Sequence, residues 1–353
     1  MPATAKSKRR LPPGPRQEHN EVNAMNAKAI RNFLVSTLKT LILPALVIGV
    51  FALLTNGRSV SPRMLLNTIR QSIVPMLICW GMMMTMSMSM MNFCGGAIML
   101  AVSIIGGNLA QMMGGSIPVL VAVCAVLGVV TGGLIGFLYN KLRVPCMVLT
   151  IGLMLFFEAL PRAIFPGGVR MTNVVQLSMA PSCYYVALVM LVVFYVLYEC
   201  LPFGHNMRAI GASPAISATV GLDADKIKFK AFLASGLFFG VAAALYVSSN
   251  GEVRNVATMG SMQIMMDGFM GMFLAMFMAT FCKLPIAVVV STFTMKMLSN
   301  GLVAMGMSAT VRDLANGVFL LVLLTISANS GMFARIRADR AFREEAEAEM
   351  AKA

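Results

Sequence analysis

Charge is the scarcest commodity in this chain. Only 12% of its 353 residues are Asp, Glu, Lys or Arg, while 58% are hydrophobic. Soluble domains run nearer 25% charged and 45–50% apolar. Disordered chains, coiled coils and most soluble enzymes are excluded by that gap, and the mean hydropathy of +0.80 points to an integral membrane protein. Histidine is nearly absent too. His19 and His205 both lie in polar segments and fit no zinc motif. The seven cysteines form no CxxC, and only Cys183 is expected near an outer loop, so neither a disulfide framework nor a metal site is expected. Gly-Lys never occurs, which excludes a GxxxxGK[ST] phosphate loop. GxSxG, HExxH and paired-carboxylate constellations are also missing. The chain is expected to be no enzyme and to carry no cofactor.

What charge there is has one sign, for a net +14. Nucleic acid is excluded as a partner, because the basic residues gather at the termini and between apolar runs without an aromatic-basic motif. A membrane reading explains them better. Each span needs about 20 apolar residues, and ten such runs are expected near 33–55, 69–92, 97–115, 118–139, 145–165, 183–202, 229–249, 262–281, 284–304 and 313–331. With that topology, 19 Lys and Arg residues fall on the side of the termini and seven on the other. The positive-inside bias then places both termini in the cytoplasm. The expected fold is an all-α bundle of about ten transmembrane helices in the cell membrane. A basic cytoplasmic tail covers 1–32, the membrane domain 33–331 and a charged cytoplasmic tail 332–353. No cleavable signal is read at the N-terminus, where the basic tail is too long and no small-residue cleavage site follows the first apolar run. Asn92, Gly95 and Gly96 mark a helix interruption, and 64–97 is a candidate for a broken or re-entrant helix. Irregular backbone at membrane depth is tolerated where it lines a cavity or is buried in protein, so these residues are candidates for a solute path.

Small residues predict how the helices pack. Gly128, Gly132 and Gly136 recur every four residues, as do Gly236 and Gly240, so each set shares a helix face. In lipid, such stripes let backbones approach closely. Methionine is the compositional excess, with 34 residues and a cluster from Met82 to Met91. Thioether ligation of copper(I) is one reading. Soft packing along irregular apolar surfaces is the favoured one, since no histidine or cysteine stands at a useful spacing. Two charges need individual reasons. Glu158 lies four residues before Arg162, the favourable order for a helical ion pair, and that pairing is expected; a place at the mouth of the path is the alternative. Lys296 sits mid-span and must find a partner inside the bundle, for which Asp267 or a backbone carbonyl is the candidate.

The longest internal polar segment, 203–228, carries the most information. Ser213 and Pro214 read as an N-cap and first helical residue, and Gly221 as a C-cap, so 214–220 is expected to form a short helix at the cytoplasmic surface. A bundle with such a loop and no catalytic constellation reads as a transporter. The loop sequence, Gly204 to Asp223, resembles the cytoplasmic coupling loop of ABC importer permeases of the ribose and branched-chain amino acid type. The matching positions are Gly204, Arg208, Ala209, Ile210, Gly211, Pro214, Ala215, Gly221 and Leu222, and Ser213 and Asp223 are included in the same coupling stretch. Other stretches agree in order and spacing: the Gly128–Gly136 repeat followed by Lys141-Leu142-Arg143-Val144-Pro145 and Thr150-Ile151-Gly152, Ser235-Gly236, and Asn300-Gly301-Leu302 with Met305-Gly306. The resemblance covers about 35–331. Where the family carries Gly-Gly-Ile-Asp-Leu-Ser, this chain has Gly95-Gly96-Ala97-Ile98-Met99-Leu100, and its eighth span is methionine-rich from Met259 to Met278.

The resemblance implies a permease subunit that moves a small solute inward, with a monosaccharide first and nucleosides or branched-chain amino acids next. Its implied partners are an ABC ATPase seated on the coupling helix, an extracytoplasmic solute-binding protein, and a second permease, either a copy of this chain or a paralogue that retains the missing motif. Membrane lipid surrounds it. A self-contained secondary transporter ranks lower, because Glu158, Glu199, Asp267 and Asp313 are few and mostly near span ends. A non-transporting scaffold is the third class.

Overall fold

A computed structural model describes residues 41, 44–53, 61–171, 177, 181–280, 282–308, 310–322, 324 and 325. Its helices are α1 (Pro44–Leu53), α2 (Pro62–Met86), α3 (Gly95–Met112), α4 (Ile117–Leu142), α5 (Cys146–Ile164), α6 (Ser182–Tyr195, continued by a π turn Val196–Cys200), α7 (Pro202–Ala212), α8 (Pro214–Thr219), α9 (Ala224–Asn250), α10 (Gly260–Met278) and α11 (Leu284–Ala304). Two short strands, β1 (Val169–Arg170) and β2 (Glu252–Val253), pair antiparallel.

Among the described residues, seven helices are long and apolar enough to cross a membrane: α3, α4, α5, α6 with its π turn, α9, α10 and α11. The chain is thus an all-helical, multi-pass membrane protein. α2 has 25 residues, enough to span, but its first turns carry Asn67, Arg70 and Gln71 and dilute its hydropathy. The first expected span falls partly outside the described residues, with α1 inside it. The tenth is helical over 313–322 and 324–325, and its remainder lies outside them. Both expected tails also lie outside.

Local chemistry explains where the helices start and stop. The Ser61 hydroxyl accepts from the Met64 N–H, and Pro62 follows in the first turn. Asp223 caps α9 by accepting from the Lys226 N–H. Gly251 ends α9 at φ 69°, a left-handed backbone that glycine adopts without strain. α9 is the most buried of the seven spans and packs on α2, α3 and α4. α4, α5 and the α6 span are peripheral and present rows of exposed apolar residues such as Val126, Val130 and Leu188.

The two glycine stripes face each other. A Cβ on Gly128 would strike the Gly236 carbonyl oxygen, one on Gly132 the Phe232 carbonyl, and one on Gly240 the Cys124 carbonyl. Gly136 continues the contact against Phe229 and Phe232. α4 and α9 therefore touch backbone to backbone. The methionine cluster behaves as packing: Met82, Met83, Met84, Met88 and Met90 are buried in the core.

Candidate functional site

A polar cavity of about 420 Å³ opens between α2, α9, α10 and α11. α2 contributes Asn67, Arg70 and Gln71, and α9 contributes Tyr246, Ser249 and Asn250. Asp267 of α10 and Lys296 of α11 close it with an ion pair, Nζ to Oδ2 at 2.6 Å. Of the two partners expected for Lys296, Asp267 or a backbone carbonyl, Asp267 is the one it meets. The lysine side chain is 21% exposed and the aspartate 41%, so the pair is reachable rather than sealed. Pro75 also lines the cavity and lacks the N–H that would bond the Gln71 carbonyl within α2. Asn300 donates to Thr68 Oγ1 and Gln71 Oε1 and ties α11 to α2 beside the cavity. Amides, a carboxylate, an ammonium and hydroxyls converge there on apolar walls, which suits a small polar solute.

Asn92, Gly95, Gly96 and Glu158 do not line this cavity. The break between α2 and α3 covers 87–94, so 64–97 is two helices joined by a short irregular segment. Asn92 is buried and accepts from the Cys94 N–H. Gly95 and Gly81 admit the Phe239 ring between them, and a Cβ on Gly96 would strike the Ser261 carbonyl. These residues serve close packing.

Glu158 corrects a second expectation. It does not pair with Arg162. Its carboxylate is buried and accepts from the Met259 N–H at 2.7 Å and the Ser261 N–H at 2.8 Å. An anion at a helix N-terminus satisfies orphan donors and complements the helix dipole, which a flexible local ion pair does less well. Arg162 instead donates to the Val256 carbonyl. Asn255 donates to the Phe165 and Pro166 carbonyls. The chain from 255 to 261 therefore runs back along α5 for seven residues, about 10 Å of helix. α10 begins at that depth, below the β1–β2 ribbon. Glu158→Leu should leave the buried Ser261 N–H without its acceptor, costing about 1–3 kcal/mol, and the part-buried Met259 N–H at a smaller cost. Thermal denaturation in detergent checks this. Arg162→Gln should lower the midpoint much less, and equal effects would restore the ion-pair reading.

The other end of the bundle carries a tight elbow. The sequence of 203–228 was expected to hold one short helix, but two are present. Arg208, Ala209, Ile210 and Gly211 lie on α7, and the expected 214–220 helix is α8, with Ser213 extended between them. Pro202 starts α7. Met207 and Ile210 are buried. Gly204 and Gly211 let α7 approach the Tyr198 and Ser87 carbonyls, where a Cβ would clash. Arg208 pairs with Glu199 at 3.7 Å and lies over the Tyr198 ring, 4.9 Å from its centroid. Ser87 Oγ donates to the Tyr198 hydroxyl at 3.2 Å. α7 is thus wedged between the α2–α3 break and the π turn that ends α6. Gly221 is left-handed at φ 80° and ends α8. The Leu222 N–H bonds the Ser217 carbonyl.

Asp223 then starts α9. The Lys226 ammonium, and after it the Lys226 N–H, hold the Asp223 carboxyl below its ordinary pKa. A lowered folded pKa means that its stabilisation is complete above the ordinary value and is lost as pH falls through the lowered one. The protection factor of the Lys226 amide, taken against its intrinsic exchange rate at each pH, should therefore fall as pH drops below about 4, and Asp223→Asn should flatten that dependence.

Taken together, these features define a helical membrane protein with a polar cavity at one end and a tight helical elbow at the other. The chain matches the family described as the permease component of branched-chain amino acid transport systems, over residues 64–327, and belongs to it. It is a transport subunit of the ABC permease class rather than a catalytic one. No curated protein and no solved structure matches it.

Proposed function

We propose that the chain is the membrane-spanning subunit of an ATP-driven importer and moves a small polar solute inward by alternating access. The elbow carries this reading. α8 is the surface that a separate ATPase would push, and α7 is locked by backbone contact to both the α2–α3 break and the α6 π turn. A displacement of α8 would then reach two spans at once. The α7–α8 end is assigned to the cytoplasm by the positive-inside bias. The ribbon end, with exposed Arg254 paired to Glu252, is assigned to the outside, where a solute-binding protein would deliver.

The cavity beside Asp267 and Lys296 is proposed as this subunit's part of the path. Its amide and hydroxyl lining favours a monosaccharide, with nucleosides and branched-chain amino acids as the alternatives. Gly96 seats α3 against α10, Glu158 ties α5 to the start of α10, Gly95 seats α3 against Phe239 of α9, and Asn92 fixes the break before α3. The second permease is either a copy of this chain or a paralogue retaining the acidic motif absent at Gly95–Leu100. Affinity purification of the full chain from its native membrane tests the assembly. An ATPase and a permease partner, either a copy of this chain or a paralogue, are expected. A functional homodimer with one kind of ATPase would remove the paralogue, and purification with neither subunit would remove the importer.

A further inference from the structure

A second polar cleft, of about 270 Å³, lies at the α7–α8 end between the last turn of α4 and the first turns of α9, lined by Tyr139, Asn140, Arg143, Val144, Asp225 and Lys228. Its walls are fixed. Asn140 Nδ2 donates to the Asp225 carbonyl at 2.7 Å, and Lys228 lies over the Tyr139 ring, 5.5 Å from the centroid. Arg143 ends α4 in a left-handed conformation at φ 52°, which turns the chain away from the helix axis. It is exposed and has no carboxylate within 4 Å among the described residues. Lys228 has one carboxylate nearby, Asp225 at 3.9 Å, which is too long for a tight pair.

The surroundings say what kind of anion would meet this cleft. The side of α4 turned away from α9 is apolar and exposed up to the level of the cleft: Val130, Leu134 and Phe137 are 42–60% accessible, and Leu142 next to Arg143 is 53%. Lys141 folds back over the Phe137 ring, 5.6 Å from its centroid, as a cation does at the edge of a hydrocarbon layer. A cationic cleft at the level of that hydrocarbon edge lies at headgroup depth, where it would meet the phosphate of a bilayer lipid. Guanidinium grips a phosphate through paired N–H donors, and ammonium adds a point charge. Basic pockets between spans on the cytoplasmic side recognise anionic headgroups in this way.

We infer that the α4–α9 cleft binds the phosphate of an anionic phospholipid, with Arg143 and Lys228 as its cationic ligands and Tyr139 beside them. Assigning it to the inner leaflet rests on the orientation proposed above; the binding itself does not. The bound lipid would fasten the start of α9, the helix that follows the docking elbow, to the membrane. Asp225 works against the anion, so its removal should strengthen binding.

Native mass spectrometry of the purified full chain, titrated with phosphatidylglycerol and separately with phosphatidylcholine, tests this in detergent and needs no transport activity. Phosphatidylglycerol should bind more tightly than phosphatidylcholine. Arg143→Gln and Lys228→Gln should each weaken it about fivefold, and Asp225→Asn should tighten it. Arg170→Gln, at the ribbon end, should change nothing. The tightened Asp225→Asn variant guards against mistaking misfolding for lost affinity. Equal affinity for the two lipids, no effect of either cation, or displacement by millimolar inorganic phosphate as effective as displacement by lipid would overturn the inference.

Discussion

Gly240→Val is expected to deplete folded protein from the membrane and to lower the melting midpoint of whatever remains. At this position a Cβ meets the Cys124 carbonyl and the Ala125 Cα, which belong to the backbone of α4. Backbone cannot rotate away as a side chain does, so the two helices must separate. That separation also opens the neighbouring contacts of Gly236, Gly128 and Gly132, because all four share one seam. Lipid tails are as apolar as the side chains, so burial in the bundle does not restore what close packing loses. Overpacking usually costs about 1–3 kcal/mol, and the shared seam puts Gly240→Val at the top of that range. Fluorescence-detected size exclusion after heating measures the effect. Two glycines serve as controls on the same protein. A Cβ on Gly133 meets only the far end of Leu233, at 3.1 Å, and one on Gly152 meets nothing within 4 Å. Gly133→Val and Gly152→Val should melt close to the native protein. If Gly240→Val melts with them, α4 and α9 do not touch as described.

Lys296→Met and Asp267→Asn should each abolish uptake, while the charge-reversed double variant, Asp267→Lys with Lys296→Asp, should recover part of it. Each single change leaves one charge facing the cavity without its partner at 2.6 Å. Stability should fall by an amount between the ~1 kcal/mol of an exposed pair and the roughly 3–5 kcal/mol of a fully buried one, since both side chains are partly accessible. Uptake should fall further than stability, because the pair lines the cavity wall as well as joining α10 to α11. The readout is solute uptake into vesicles alongside the amount of folded protein per vesicle. Native uptake by Lys296→Met at normal folded levels would show that the pair is structural only and that the cavity is not on the path.

Some of this was legible in the sequence for simple reasons. Glycines every four residues can only share a face, so Gly128–Gly136 and Gly236–Gly240 announced close packing. That the two stripes meet is a tertiary fact with no local signal. A lysine in mid-span must be paired, which left Asp267 or a backbone carbonyl as its partner. Glu158 shows the limit of local pairing rules. Arg162 was at the right spacing, but two backbone N–H groups from a segment some hundred residues later were better partners for a buried carboxylate. No residue type in 255–261 signals that this stretch runs back along α5. α7 was hidden for a different reason. Gly204 and Gly211 lower helix propensity, so the stretch read as loop. They stand there because only glycine lets the helix lie against the Tyr198 and Ser87 carbonyls. The cavity residues Asn67, Gln71 and Asn250 belong to no sequence motif, and only the convergence of α2 with α9 brings them to one cavity.

The central claim is that a separate ATPase drives this chain. The most direct measurement is uptake of radiolabelled monosaccharides into vesicles containing the chain and its permease partner, with binding protein present, with and without the ATPase. The account predicts accumulation only when ATPase and ATP are both present, and its loss in Gly211→Val even though that variant is still inserted. Accumulation by the permease alone, driven by an ion gradient and indifferent to ATP, would contradict it.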